Sequence, residues 1–451
     1  MIVCKFGGTS VGDAGAIART VGIVRSKLER EPVVVVSALA GTTNRLIELA
    51  EQAAKGELIV ALAICEELRT RHLETIAELL GGDAAHDDVA AETAAMFDEL
   101  AHLAEALSVL GDLTPRSHDA VASMGERLSA PIVAAAMAKA GIPAVYVDAR
   151  RVMVTSEDFG RAEPLADDIA IACRATIAPL LREGKVPVLG GYIGATRAGV
   201  TSTLGRGGSD YSASLFGAAM EAEAIEIWTD VDGMLTADPR VVSGAQLIGH
   251  IRFDEAAELA NFGAKVLHPN TIAPAVRRGI PVFVFNSHKP QGTGTRITFD
   301  APRTPVRAIA GKTRTVVVKI RSPRMLATPG ALRKIFEVFE RNRTSVDVVA
   351  TSEVSVSVTV DDDQHLDAVV AQLSAFGDVA VERQRGIVAL VGAGLGEHTA
   401  TMARALSALG DLRLHMVSLS ATGINLTLIV DGDQVNEAMR RLHAAFFGGA
   451  A

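Results

Sequence analysis

Aromatic residues are scarce in this chain, at 4% of the sequence with a single tryptophan. The core must therefore be aliphatic, and the stacking platforms that hold single-stranded nucleic acid are excluded. Positive charge is not in excess either. Lys and Arg number 44 against 53 Asp and Glu, a formal net charge of -9, which argues against nucleic acid or an anionic membrane as partner. Cysteine is limited to Cys4, Cys65 and Cys173. Their scattered spacing gives neither a metal site nor a disulfide framework, and they read as small buried hydrophobes in a reducing compartment. No apolar run reaches the ~20 residues of a membrane-spanning helix. The N-terminus passes straight into an apolar strand, Ile2 to Phe6, so no leader is expected and the protein is assigned to the cytoplasm.

What is present is aliphatic and glycine-punctuated. At 451 residues, 49% hydrophobic and 22% charged, the chain is globular and too long for one core, which predicts two or three domains. The runs 32–37, 143–148, 186–191, 225–230 and 281–286 are apolar and rich in β-branched residues. Strands buried on both faces of a parallel sheet have this composition. Helical patterns such as 13–29 and 167–182 separate them, predicting an α/β sandwich with a mostly parallel sheet. Several runs end in Ser, Gly, Thr or Asp, and ligands in such sheets bind beyond the carboxyl ends of strands. Residues 58–110 break the rhythm, with Leu100, Leu103, Leu107 and Leu110 at heptad-like spacing, and read as a helical hairpin laid against the sandwich.

The stretch Gly205-Arg206-Gly207-Gly208-Ser209-Asp210-Tyr211 leads into an Ala-rich helix. Glycines allow close backbone approach to a ligand, and a helix N-terminus presents unpaired N–H groups to an anion. A second glycine turn, Lys5-Phe6-Gly7-Gly8-Thr9-Ser10, closes the first strand with a lysine beside it. After about Thr298 the elements shorten. Strands at 315–320, 345–350, 354–360 and 378–383 and helices at 329–342 and 364–375 spell β-α-β-β-α-β, the ferredoxin-like motif. The series then restarts with 386–391, 399–409, 412–420, 425–430 and 434–445, short of a final strand. The spare apolar run 306–310 is expected to complete this second copy.

Four stretches, in order, resemble the aspartate kinase family: Lys5 to Val11, Thr203 to Tyr211, Trp228 to Gly233 (Trp-Thr-Asp-Val-Asp-Gly) and Phe262 to Pro269 (Phe-Gly-Ala-Lys-Val-Leu-His-Pro). The resemblance extends over essentially the whole chain. It implies an amino-acid kinase αβα sandwich at 1–298, followed by two ferredoxin-like ACT modules at 313–384 and 385–451. It also implies transfer of the γ-phosphoryl of ATP to the β-carboxylate of L-aspartate, giving 4-phospho-L-aspartate, the first step toward lysine, threonine and methionine. A carboxylate nucleophile is already ionised at neutral pH, since free Asp titrates near ~3.9, so no general base is required. The difficulty is bringing two anions together, which calls for cations, backbone N–H groups and Mg2+.

On this resemblance Lys5 is the cation at the transferred phosphoryl, with Gly7 and Gly8 as backbone donors. Ser37 and Thr43 contact the substrate, Arg206 grips its α-carboxylate and Glu126 accepts from its ammonium. Ser209 and Asp210 stand at the start of the Ala-rich helix, Asp210 acting on substrate ammonium or through metal-bound water. The nucleotide is expected near Thr229, Asp230, Leu235, Asp238, Arg240 and Lys265. Leu235 departs from a pattern in which tyrosine stacks on adenine, so apolar packing must substitute. No cluster suggests a protein-held metal, and Mg2+ is expected to arrive with ATP.

Regulation is expected in the first ACT module, where Met325, Thr328, Gly330, Ala331 and Leu332 form a loop-to-helix turn. Ser345, Val346, Asp347, Thr351, Ser352 and Glu353 would face it. Lysine is the favoured effector, with threonine, or both amino acids together, as the alternatives. The modules are expected to form a homodimer or higher oligomer. The competing readings are a glutamate or acetylglutamate kinase and a non-catalytic amino-acid sensor.

Overall fold

The computed structural model describes residues 1–83, 85–205, 207–262, 269–325, 328–361 and 364–448. The chain divides into two compact units, Met1–Met234 with Val266–Phe299 and Leu235–Lys265 with Asp300–Ala451. Among the described residues no helix is long and apolar enough to cross a membrane.

The chain begins with β1 (Ile2–Phe6), α1 (Ala14–Arg25), β2 (Pro32–Val36), α2 (Thr42–Ala54), α3 (Leu58–Leu80) and α4 (Ala85–Leu110). It continues through α5 (Pro115–Ala122), α6 (Met124–Lys139), β3 (Ala144–Val147), β4 (Val154–Thr155) and α7 (Ala166–Arg182). Then come β5 (Val186–Gly190), β6 (Ile193–Thr196), β7 (Thr201–Thr203), α8 (Gly208–Ala219) and β8 (Ala224–Thr229). The second unit takes β9 (His250–Arg252) and α9 (Phe253–Asn261). α10 (Ala273–Arg278), β10 (Val282–Asn286) and β11 (Thr295–Thr298) belong to the first.

The main sheet of the first unit runs β3-β5-β2-β1-β8-β10-β11. Every neighbouring pair is parallel except β10 with β11. Val33 to Val36 on β2 are fully buried, each adding about 1.5–3 kcal/mol of apolar burial. Alternation along β1 sends Ile2, Cys4 and Phe6 into a core shared with Ile17 of α1 and Ile132 and Met137 of α6. Lys5 is thereby aimed at the opposite face, where α8 packs. α3 and α4 form the expected hairpin, with Leu100 and Leu107 buried among Leu46, Leu49, Leu68 and Phe97. The periodicity ends before Leu110, which is 73% exposed.

The second unit adds β12 (Ala308–Arg321), α11 (Ala331–Arg341), β13 (Val349–Thr351), β14 (Ser355–Val360), α12 (Leu366–Leu373), β15 (Asp378–Val391), α13 (Thr399–Leu409), β16 (Met416–Leu419), β17 (Asn425–Asp431) and α14 (Val435–Phe447). They form one antiparallel sheet, β13-β14-β12-β15-β17-β16. Each of the two long strands fuses two runs that the sequence shows separately. Val316 to Arg321 pair with β14, whereas Ala308 to Lys312 pair with Ile387 to Val391, whose other neighbour is β17. The register shifts around Thr315, between the halves.

Two expected strands are shorter than read. β13 begins at Val349 because a bulge precedes it: the N–H of Asp347 and the carbonyl of Val348 both bond the backbone of Thr359, whose hydroxyl accepts the N–H of Val348. β16 begins at Met416 because Leu412 still belongs to the turn after α13, its N–H bonded to Leu409 O.

Candidate active site

Beyond the carboxyl ends of β1 and β2 lies a cleft of about 600 Å³. It brings together Lys5, Gly8, Ser37, Thr43, Glu126, Ser209 and Asp210, all expected from the sequence. Lys5 is 8% exposed, and its Nζ stands 2.7 Å from Oδ1 of Asp210 on the first turn of α8. The helix N-cap is Gly207, at φ +70, with no side-chain cap. Its N-terminal N–H groups are therefore not claimed by a capping side chain, which suits an anion. Asp210 answers Lys5 across the cleft and does not cap the helix.

Close backbone approach makes room for these groups. A Cβ at Gly208 would lie 2.5 Å from Cδ2 of Tyr192, and one at Gly191 would lie 2.7 Å from Cβ of Ser209. At Gly190 it would lie 2.9 Å from Cβ of Glu126. Gly7 corrects the sequence reading. Its N–H already donates to Trp228 O at 3.0 Å, so the parallel pairing of β1 with β8 claims that donor.

Ser37 continues β2, its N–H bonded to Phe6 O and its carbonyl accepting from Ser129 Oγ at 2.9 Å. Thr43 sits inside the first turn of α2, whose N-cap is Gly41. Arg71 on α3 donates to Ala40 O at 2.7 Å and Gly12 O at 2.8 Å. The hairpin thus ties together the two loops that follow β1 and β2.

Glu126 is 3% exposed. Its Oε1 accepts from Ala38 N at 3.2 Å, and its buried Oε2 has no hydrogen-bond partner. Burial pushes the carboxyl up to about 8, the Ala38 N–H and the Lys5 charge opposing only in part. A buried acid short of partners, facing a cleft, is set up to receive a cation.

Tyr192 and Gly160 also line the cleft and were missed. Tyr192 holds φ +65 and donates its N–H to Ser212 Oγ at 2.9 Å. The Gly190-Gly191 pair before it was the available signal, since glycines at a strand end mark close approach.

The nucleotide candidates are spread more widely. Thr229 ends β8, its hydroxyl donating to Asp230 Oδ1 at 3.2 Å. Leu235, Asp238 and Arg240 belong to the second unit. Leu235 bridges to Leu247, and Arg240 clasps Asp238 through bonds of 3.0 and 2.6 Å. Arg206 and Lys265 lie outside the described residues. Among the described residues no group of three or more His, Cys, Asp or Glu could hold a metal ion.

In the second unit, Val346 and Asp347 line a cavity of about 500 Å³ with Lys312, Glu258, Asn425 and Thr427. Burial first, then the nearby Asp361, pushes Asp347 up to about 6. Gly330, at φ +79, caps α11, which begins with Ala331 and the exposed Leu332. Met325 closes a short 3-10 turn and accepts from the N–H of Thr328. Ser345 precedes β13, Thr351 ends it, and Ser352 and Glu353 turn toward β14, Ser352 bonded to Ser355. Of the effector candidates, only Val346 and Asp347 line this cavity. A larger cavity of about 790 Å³, among Thr313–Val316, Arg383–Arg385 and Asp431–Gln434, holds none of the expected site residues.

A lysine at the carboxyl edge of a parallel sheet and an uncapped helix N-terminus, beside a buried acid, suit a small ligand that carries both negative and positive charge. Residues 1–286 match the amino acid kinase family, and 318–376 and 388–446 match the ACT domain. Lysine-sensitive aspartokinase 3 of Escherichia coli is 36% identical over 99% of both chains. Chloroplastic aspartokinase 3 of Arabidopsis thaliana is 36% identical over 99% of this chain and 81% of its own. The crystal structure of E. coli aspartokinase III with aspartate and ADP superposes with a TM-score of 0.86 over 99% of this chain and 100% of that one, at 36% identity. The same enzyme with lysine and aspartate gives 0.82 over 99% of each, also at 36% identity. The chain belongs to the aspartokinases, the ATP-dependent kinases of aspartate.

Proposed function

We propose that this protein transfers the γ-phosphoryl of ATP to the β-carboxylate of L-aspartate, the cleft around Lys5 and Asp210 holding the reacting groups. The observation that carries the reading is a buried lysine facing an uncapped helix N-terminus across a cleft with an under-bonded buried acid. A β-carboxylate oxygen attacks the γ-phosphorus, the bond to the bridging oxygen breaks, and ADP leaves with that electron pair. Lys5 offsets the charge of the transferred group, and the α8 N-terminus and Gly8 add backbone dipoles. Glu126 takes the substrate ammonium; Ser37, Thr43, Ser209 and Arg206 orient the rest. The nucleotide is held by Thr229, Asp230, Leu235, Asp238, Arg240 and Lys265. Mg2+ bound with ATP would neutralise phosphate charge. Such an ion needs only one or two carboxylates besides the phosphates, and Asp210 is the cleft carboxylate suited to that.

The catalytic domain spans 1–298, and the ACT modules 313–384 and 385–451, the second including strand 306–310. The modules make the enzyme a homodimer or larger oligomer and receive the feedback effector. Lysine is favoured over threonine because an acidic group, Asp347, lines a cavity there and the similar E. coli enzyme is lysine-sensitive. Three buried, free cysteines accord with a cytoplasmic setting, and the product's place is the first step toward lysine, threonine and methionine. An ADP-release assay with L-aspartate, L-glutamate, N-acetylglutamate and no acceptor tests the reading. Aspartate-dependent release supports it; equal rates with and without aspartate overturn it.

A further inference from the structure

Asp119 on α5 is fully buried, and its carboxylate stands outside the roles given above. Its Oδ2 accepts the N–H of Gly160 at 2.8 Å and that of Thr203 at 2.9 Å. Its Oδ1 accepts the Thr203 hydroxyl at 2.7 Å. The nearest cation candidate, His118 Nδ1, is 3.6 Å away. Burying a carboxylate is costly unless donors compensate, and here the compensation comes from two segments distant in sequence.

Both segments reach the cleft. Gly160 lines it directly, and Thr203 ends β7 just before the lining glycines Gly205, Gly207 and Gly208. The segments also abut: a Cβ at Gly205 would lie 3.3 Å from Cβ of Arg161 and 3.4 Å from Gly160 O. Thr203 O in turn accepts from Ala162 N at 2.8 Å. One carboxylate thus fixes the glycine turn at its N-terminal side and the wall it leans on.

We propose that Asp119 is a positioning residue for the phosphoryl acceptor, clamping Gly160 and Thr203 so that Gly205, Gly207, Gly208 and Ser209 stay in register for aspartate. The inference rests on the reading above, that Ser209 and the glycines before it face the acceptor. It adds that their position is set from α5, by a group that never meets substrate.

The test is steady-state kinetics of the full chain with Asp119→Ala, Asp119→Asn, Thr203→Val and the double variant Asp119→Asn/Thr203→Val. Asp119→Ala is expected to raise KM for aspartate at least about tenfold, the worth of a charge-assisted hydrogen bond, with KM for ATP within twofold. Asp119→Asn, which can still accept from both N–H groups, recovers most of that loss. The double variant costs no more than the worse of its two parents, because both substitutions break the same contact. Should Asp119→Ala not fold, Thr203→Val and the Asn variant carry the same comparison. An unchanged aspartate KM, or parallel rises for both substrates together with a lowered melting point, overturns the proposal. Wild-type protein inert toward aspartate would overturn the underlying reading as well, whereas an active wild type with indifferent variants sinks this inference alone.

Discussion

Glu126→Gln separates what the fold needs from what the substrate needs. The buried carboxyl lies near 8 in the folded protein against an ordinary 4.5. Between those values the folded chain holds a proton that the unfolded chain has released. The contribution of Glu126 to stability therefore declines as pH rises through this window, by up to about 1.4 kcal/mol per pH unit. Gln keeps the Oε1 acceptor for Ala38 N and cannot ionise. The variant should therefore gain about 2 kcal/mol on wild type between pH 6 and pH 8, groups common to both cancelling. Aspartate binding should respond in the opposite sense. An ammonium needs the ionised form, so wild-type affinity should rise about fiftyfold from pH 6 to pH 8 and then level off. About 0.9 proton should be released per aspartate bound at pH 7. Calorimetric titration in two buffers of different ionisation enthalpy counts that proton, and denaturant melts of both proteins across pH give the stability difference. Zero proton release, or a stability difference that is flat with pH, refutes the reasoning.

Three further outcomes are expected. Lys5→Ala should cut kcat by at least about a thousandfold while lowering the melting point by no more than about 5 °C; circular dichroism and single-turnover rates decide it, and a kcat within tenfold of wild type sinks the assignment. Gly208→Ala would place a Cβ 2.5 Å from Tyr192 Cδ2 and 3.0 Å from its Cα, which should lower kcat/KM for aspartate at least about thirtyfold through displacement of the α8 N-terminus; a loss below threefold would mean the turn is not part of the site. Millimolar lysine should inhibit, and Asp347→Asn should raise its half-inhibitory concentration at least about tenfold; activity indifferent to lysine and threonine, singly and together, would remove the regulatory reading.

The sheet was legible because each strand carries its own signal. Val33 to Val36 can only be a strand buried on both faces, and the Lys5 and Gly205–Gly208 turns mark where such strands end at a ligand. The contribution of Arg71 was not legible, because a lone arginine in a helical repeat looks solvated until the fold brings Ala40 O and Gly12 O within its reach. The long strands β12 and β15 were read in halves, because the polar stretches Lys312 to Thr315 and Gln384 to Arg385 resemble turns. In the sheet Lys312, Thr315 and Arg385 keep the strands paired on either side of the register shift. Propensity yielded there to pairing across the two modules.

Asp119 and Glu126 show why side-chain roles need the fold. Both are acids on consecutive helices, α5 and α6, and both are buried. In sequence each reads as an ordinary helical acid. The difference lies in donors. Asp119 has three hydrogen bonds and its charge is satisfied inside the protein. Glu126 has one from Ala38, leaves Oε2 bare and is driven toward its neutral form. A satisfied buried charge rigidifies what it touches, and an unsatisfied one stores free energy that an incoming cation can release. The same residue class thus supplies the frame of the cleft in one case and its appetite for ligand in the other. Environment alone makes that division, so exchanging the donors, and not the acids, would exchange the roles.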